Sequence, residues 1–269
     1  MLKLNTMDLA DAFTPKELVD AIFKQCPNLK PPIPIKEIAL AAGIKKIDTL
    51  NSENIEGMLV TDEGKNEGVI YYNSHEKPVG RQRFTIGHEL GHFLLLHHNG
   101  INGIQTCDSA DLSLSSKDCI EKEANEFAQL LLLPDKLIKN AYRDKQPCLT
   151  SLEKVADNFE MSLEATANKC TKYGLKPFAL VYSLNGVVRY CWKDHKRLPY
   201  YSSLKKGSQM PSSSQAVTLN LSEQTITQFT TAKATCWFNP SPKYDLPETI
   251  LEQTYFQKRG YKVTLLVVE

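Results

Sequence analysis

The fourteen residues TIGHELGHFLLLHH (85–98) hold four of the six histidines in the chain, with one glutamate between the first two. This stretch constrains the fold more than any other. Phe84, Ile86, Leu90, Phe93, Leu94 and Leu96 cover most faces of a helix here, so the segment reads as a buried helix over 81–98. A buried helix that carries imidazoles and a carboxylate needs something to satisfy them. Each helical residue turns by roughly 100°, so His88 and His92 lie about 40° apart on one face. They can present two nitrogens to one metal ion. Glu89 lies beside them, where a carboxylate can act as a base toward water. The alternative is an amphipathic helix with a chance histidine pair, and HExxH alone does not decide between the two.

A third ligand would decide, because a catalytic zinc takes three protein ligands and leaves one position open. His98 stands where some HExxH enzymes place a third histidine, but that arrangement needs a helix-breaking glycine and Leu95 occupies the position. On a continuous helix His98 lies about 240° around from His92, and His97 fails for a similar reason. Both are expected near the helix C-terminus, meeting free carbonyls. The better candidate is in EKEANEFAQLLLLP (121–134). Glu121 and Asn125 share one helical face with Ala124 and Ala128, small residues that permit close approach of a second helix. Glu121 would complete the set, and Asn125 would accept a hydrogen bond from the far nitrogen of a ligand histidine. Glu123 is about 200° away from Glu121, and the small-residue stripe selects Glu121 of the two. Solvated glutamates on an ordinary amphipathic helix are the competing reading.

The rest of the chain supplies context. TPKELVDAIFKQ (14–25) is a capped helix, with Thr14 and Glu17 as a capping box and Pro15 at the first position. PPIPIKEIALAAGI gives a short helix ended by Gly43. GMLVT and GVIYY form a hairpin around DEGKNEG, residues 99–117 read as a loop, and 118–133 is a strong helix stopped by Pro134. SLEKVADNFEMSLEATANKC (151–170) reads as two helices around a turn at Glu160–Ser162. From Lys176 on, ALVYS, GVVRYCW, ATCWF and KVTLLVV are strand-like. The expected class is α+β: a mostly helical domain with a small sheet (1–149), a helix-turn-helix-like segment (150–175) and a C-terminal α+β domain (176–269) suited to sensing or partner binding.

Lys+Arg is 32 against Asp+Glu 31, without a basic run, which disfavours direct nucleic-acid binding. The seven cysteines are odd in number and widely spaced, and none forms CxxC, a pattern of free thiols in a reducing compartment. No stretch reaches the roughly 18 apolar residues of a membrane helix. A cytoplasmic protein is expected.

RFTIGHELGHFLLLH, followed about 30 residues later by EKEANEFAQLLLLP, resembles the ImmA/IrrE family of metallopeptidases. IPIKEIALAAGI, GVIYYNS and SLEKVADNFEMSLEA extend the likeness over roughly residues 30–175. Leu133 stands where many relatives have methionine, an exchange that conserves volume. The resemblance implies a zincin-like fold and zinc-dependent endoproteolysis, with His88, His92 and Glu121 as ligands and Glu89 as catalytic base. It also implies a protein substrate, a helix-turn-helix repressor whose cleavage switches on mobile-element or stress genes. A His, His, Glu set also accepts manganese or iron. The second reading is a zinc-binding regulatory or toxin-antitoxin partner of the same fold that does not cut. GVIYY could pair with an extended substrate; Tyr71, Tyr72 and Tyr142 are candidates to assist the oxyanion, each read first as a packing residue; and Cys107 and Cys119 are read first as free thiols, with an alternative zinc ligand or a redox switch as the lesser reading.

Overall fold

Thr14 begins the first long helix as its sequence requires. Its hydroxyl accepts from the Glu17 amide at 3.3 Å, and the Glu17 carboxylate accepts from the Thr14 amide at 3.0 Å. The computed structural model describes residues 2–52, 54–75, 77–98, 104–108, 116–240 and 244–269, with backbone alone at 104–108 and 116–118. The chain is mixed α+β and divides into two units, 1–137 with 158–162, and 138–157 with 163–269.

The first unit runs α1 (Thr6–Ala10), α2 (Pro15–Gln25), α3 (Ile35–Ala41), β1 (Ile44–Leu50), β2 (Ile55–Thr61), β3 (Gly68–Asn73), α4 (Val79–Leu94), β4 (Ile104–Asp108) and α5 (Ser116–Leu132). The sheet order is β1-β3-β2-β4. β3 runs parallel to β1, and β2 is antiparallel to both β3 and β4. The expected hairpin is present, with Leu59 opposite Ile70 and Gly57 opposite Tyr72. Two strands were not foreseen. β1 carries Lys45, Lys46 and Thr49 on exposed positions and a half-buried Asp48, so its apolar alternation is faint. β4 lies inside the stretch read as a loop, because backbone pairing with β2 overrides its polar composition. β3 has a strand on each side, which leaves no free backbone row for a substrate. Pairing of an extended peptide with GVIYY is therefore corrected: among the described residues the sheet edges are β1 and β4.

Ile86, Leu90 and Phe93 of α4 are buried, as are Leu59 and Ile70 of the sheet and Ala124, Phe127, Ala128 and Leu131 of α5. α4 packs across β2 and β3 and along α5. The helix ends at Leu94 rather than 98. The carbonyls exposed at that end accept from Lys65 on the turn between β2 and β3: His92 O at 2.8 Å, Leu95 O at 3.1 Å, and His98 O. His97 and His98 were expected in that role; a lysine takes it instead, placing an ammonium at the negative helix end. Burial pulls the Lys65 pKa down to about 8, which keeps it charged at neutral pH. Lys65→Met is expected to cost about 2 kcal/mol by removing charge-assisted bonds to buried acceptors, read from the denaturation midpoint.

α6 (Asp135–Tyr142) follows Pro134, and α7 (Leu149–Phe159) and α8 (Leu163–Cys170) flank the turn at 160–162, where Glu160 takes φ 50°. Lys169 of α8 is buried. Tyr142 is fully buried against Phe178 and meets Ser151 Oγ, so it is a core residue.

The rest of the second unit comprises β5 (Phe178–Leu184), β6 (Val187–Lys193), β7 (Tyr201–Ser202), α9 (Gln215–Thr218), β8 (Thr225–Ile226), β9 (Thr230–Lys233), β10 (Phe238–Asn239), β11 (Thr249–Phe256) and β12 (Tyr261–Val267). Its main sheet has the order β6-β5-β12-β11-β8, with β9 also on β11. Val181, Val188, Trp237, Phe238, Ile250 and Leu266 belong to one core cluster. ATCWF, expected as a strand, is a 3-10 turn over Ala234–Cys236 leading into β10. The interior strand β11 is not legible in the sequence, because Glu252, Gln253 and Thr254 interrupt its apolar pattern. Each is paired inside the fold. Glu252 Oε1 accepts from Ser214 Oγ at 2.7 Å, Gln253 Nε2 donates to Thr227 O at 3.0 Å, and Thr254 and Thr264 hydroxyls lie 3.1 Å apart. Among the described residues no helix is long and apolar enough to cross a membrane.

Candidate metal centre

Two helices build the site. Gly87 and Gly91 on α4 face Ala128, Ala124 and Phe127 on α5. A Cβ at Gly91 would lie 3.1 Å from the Phe127 ring and 3.2 Å from Ala124 Cα. The small residues read on α5 are thus met by glycines within the HExLGH segment itself. This close approach brings α5 side chains up to the histidine face of α4.

His88 Nε2 and His92 Nε2 lie 3.0 Å apart. The Glu121 carboxylate reaches both, Oε2 at 3.1 Å from His88 Nε2 and Oε1 at 3.3 Å from His92 Nε2. Ligands at about 2.0–2.1 Å from a tetrahedral zinc sit roughly 3.3 Å from one another. These three atoms already have nearly that spacing, and two imidazoles with one carboxylate are a donor set zinc accepts, so the residues fit the ion. Electrostatics agree with the geometry. Burial alone would raise the Glu121 pKa, but hydrogen bonds from His88 and His92 hold its carboxyl well below the ordinary range. Burial pushes His92 below its usual value. Burial acts the same way on His88, yet the Glu121 carboxylate raises it on balance. Glu123, the competitor for third ligand, is turned away and meets His97 and His98.

The far nitrogens of both histidines are held, that of His88 from α5 and that of His92 from the turn that follows α4. Asn125 Oδ1 lies 3.1 Å from His88 Nδ1. His92 Nδ1 lies 3.1 Å from His98 Nδ1, and His98 Nε2 lies 2.8 Å from Glu123 Oε2. One proton arrangement satisfies every contact. With a metal ion held by His88 and His92 through Nε2, His88 would donate to Asn125, His92 to His98, and His98 to Glu123. His98 is fully buried, and burial pulls its pKa down to about 4, so it is a neutral acceptor. The reading of His98 as a helix-end residue facing away is corrected. The helix stops at Leu94 and the chain turns back, so the 240° argument does not apply beyond that point.

Glu89 is buried on α4 against β2, one residue beyond His88. Gly57 makes room for it: a Cβ there would lie 2.4 Å from Glu89 Oε1 and 2.5 Å from Thr85 Cγ2. In the sequence, Gly57 reads only as a strand start. A glycine inside a strand is the one available signal of such a close approach. Gly57→Ala is expected to displace the Glu89 carboxyl and lower turnover by about 100-fold, the scale for a misplacement near 1 Å, without releasing metal. Parallel activity and metal assays check this. Tyr72 OH meets Lys36 Nζ at 3.0 Å, and Tyr71 is half-exposed on β3. Cys119 is a free, exposed thiol, and the Cys107 side chain lies outside the described residues.

Residues 42–171 match the model of the IrrE N-terminal-like domain of peptidase family M78. Metallopeptidase ImmA of Bacillus subtilis (strain 168) is 31% identical over 133 residues, which is 49% of this chain and 73% of that protein. A Mycobacterium tuberculosis transcriptional regulator shares the fold, with TM-score 0.55 over 98% of this chain and 82% of its own, at 12% identity. With its HExxH helix, its Glu121 helix and this match to most of a metallopeptidase, the chain belongs to the ImmA/IrrE family of zinc metallopeptidases.

Proposed function

We propose that this protein is a zinc-dependent endopeptidase that cleaves a helix-turn-helix transcriptional repressor and thereby turns on mobile-element or stress genes in the cytoplasm. The observation that carries the reading is the convergence of His88, His92 and Glu121 next to the Glu89 carboxylate. Zinc, when bound, supplies the Lewis acid that polarises the scissile carbonyl. Glu89 accepts the proton of the attacking water and passes it to the leaving amine. Asn125 and His98 fix the rings of the ligand histidines. An extended substrate segment pairs with the edge strand β4, whose partner β2 carries the Gly57 that cradles Glu89. The name of the M. tuberculosis neighbour supports a place in transcription control, and that of the B. subtilis relative supports peptide hydrolysis.

The test incubates zinc-loaded full chain with helix-turn-helix repressors encoded beside it and reads intact masses. Two fragments from one repressor, absent with Glu89→Gln, are expected. A repressor that binds tightly and stays whole would replace the peptidase reading with that of a non-cutting zinc-binding partner.

A further inference from the structure

A second cluster of ligand-type side chains stands on the same two chain segments. His97 Nε2 lies 2.6 Å from Glu123 Oε2, and His98 Nε2 lies 2.8 Å from the same oxygen. The three donor atoms all fall within 4.8 Å of one another. The chemistry repeats that of the first set: two imidazoles and one carboxylate, the histidines from the α4 end and the carboxylate from α5. The surroundings differ. His98 is buried, whereas the His97 side chain is 46% exposed and Glu123 30%, so the cluster opens to solvent. A cation has an entry path, and water can fill the remaining positions.

We propose that His97, His98 and Glu123 form a second divalent-cation site, coupled to the first through the His92–His98 contact. Zinc is the cation chosen as probe, because imidazole with carboxylate suits it. The spacing asks for only a small adjustment. Hydrogen-bonded donors at 2.6 and 2.8 Å must open by a few tenths of an ångström, and exposed His97 can move to allow it. The coupling follows from counting protons. When the first ion sits on His92 Nε2, the only ring proton of His92 is on Nδ1 and points at His98 Nδ1. The proton of His98 then sits on Nε2, facing Glu123. For a cation to bind His98 Nε2 that proton must leave, which frees the Nε2 lone pair for the cation, and in the neutral ring it moves to Nδ1. There it opposes the His92 proton across 3.1 Å. Filling both sites therefore breaks the contact that holds His92. Losing such an orienting partner weakens a metal ligand set by about 10–100-fold. Reciprocity imposes the same penalty on the second ion.

The experiment is equilibrium dialysis of metal-free full chain against buffered zinc over several decades of free concentration, with bound zinc counted by mass spectrometry. Wild type is expected to take one equivalent tightly and a second more weakly, with the coupling contributing about 10–100-fold to the difference. His97→Ala, an exposed residue outside the first site, is expected to keep the first and lose the second. His88→Ala is expected to lose the tight equivalent and to bind at the second site more tightly than wild type does. Wild type that saturates at one equivalent, lost in His88→Ala, would overturn the second site and leave the peptidase reading standing. Two equivalents in both wild type and His97→Ala would also overturn it, by placing the second ion elsewhere. No bound zinc at any concentration would overturn both readings.

Discussion

Glu89→Gln is expected to lower peptide hydrolysis by about 10²–10⁴-fold, the usual contribution of a positioned general base, with bound zinc unchanged. Glutamine fills the same space between Thr85 and Gly57 and cannot accept a proton. It is not among the three groups whose ligand atoms converge, so metal should stay in place. Single-turnover cleavage of a repressor found to be cut by wild type, followed by mass, checks the rate. Activity within a few-fold of wild type would remove Glu89 from the chemistry.

Glu121→Ala is expected to weaken zinc binding by more than the roughly 10–100-fold that follows loss of an outer partner, because a direct ligand goes. The variant removes the carboxylate that reaches both imidazole nitrogens, which lie 3.0 Å apart. Competition against a chromophoric chelator measures the change. Affinity equal to wild type would move the third ligand elsewhere. The second cation site makes the loading level matter, so the comparison belongs below one equivalent.

Much of this was legible in the sequence, where local chemistry sets local structure. Thr14, Pro15 and Glu17 announce α2 through hydrogen bonds made within one turn. His88 and His92 share a face because helical geometry demands it, and Ala124 and Ala128 mark the contact side of α5. What stayed hidden depends on partners distant in sequence. β4 is a strand because β2 lies beside it, and β11 keeps a polar run because Ser214, Thr227 and Thr264 pair with it. His98 was misplaced by a single premise, that α4 continues to residue 98. Lys65 draws the end of α4 together from 30 residues away in sequence, through Leu95 O, and nothing near Leu95 signals that. Gly57 looks like an ordinary strand residue until Glu89 is seen where its side chain would be.

The central claim is that His88, His92 and Glu121 hold one zinc ion. X-ray absorption at the zinc edge, on full chain loaded with less than one equivalent, tests it most directly. The account predicts imidazole scattering from two histidines and only nitrogen or oxygen neighbours, at about 2.0–2.2 Å. A sulfur shell near 2.3 Å, or a spectrum without imidazole scattering, would contradict it and move the ion to the cysteines or off the HExxH helix.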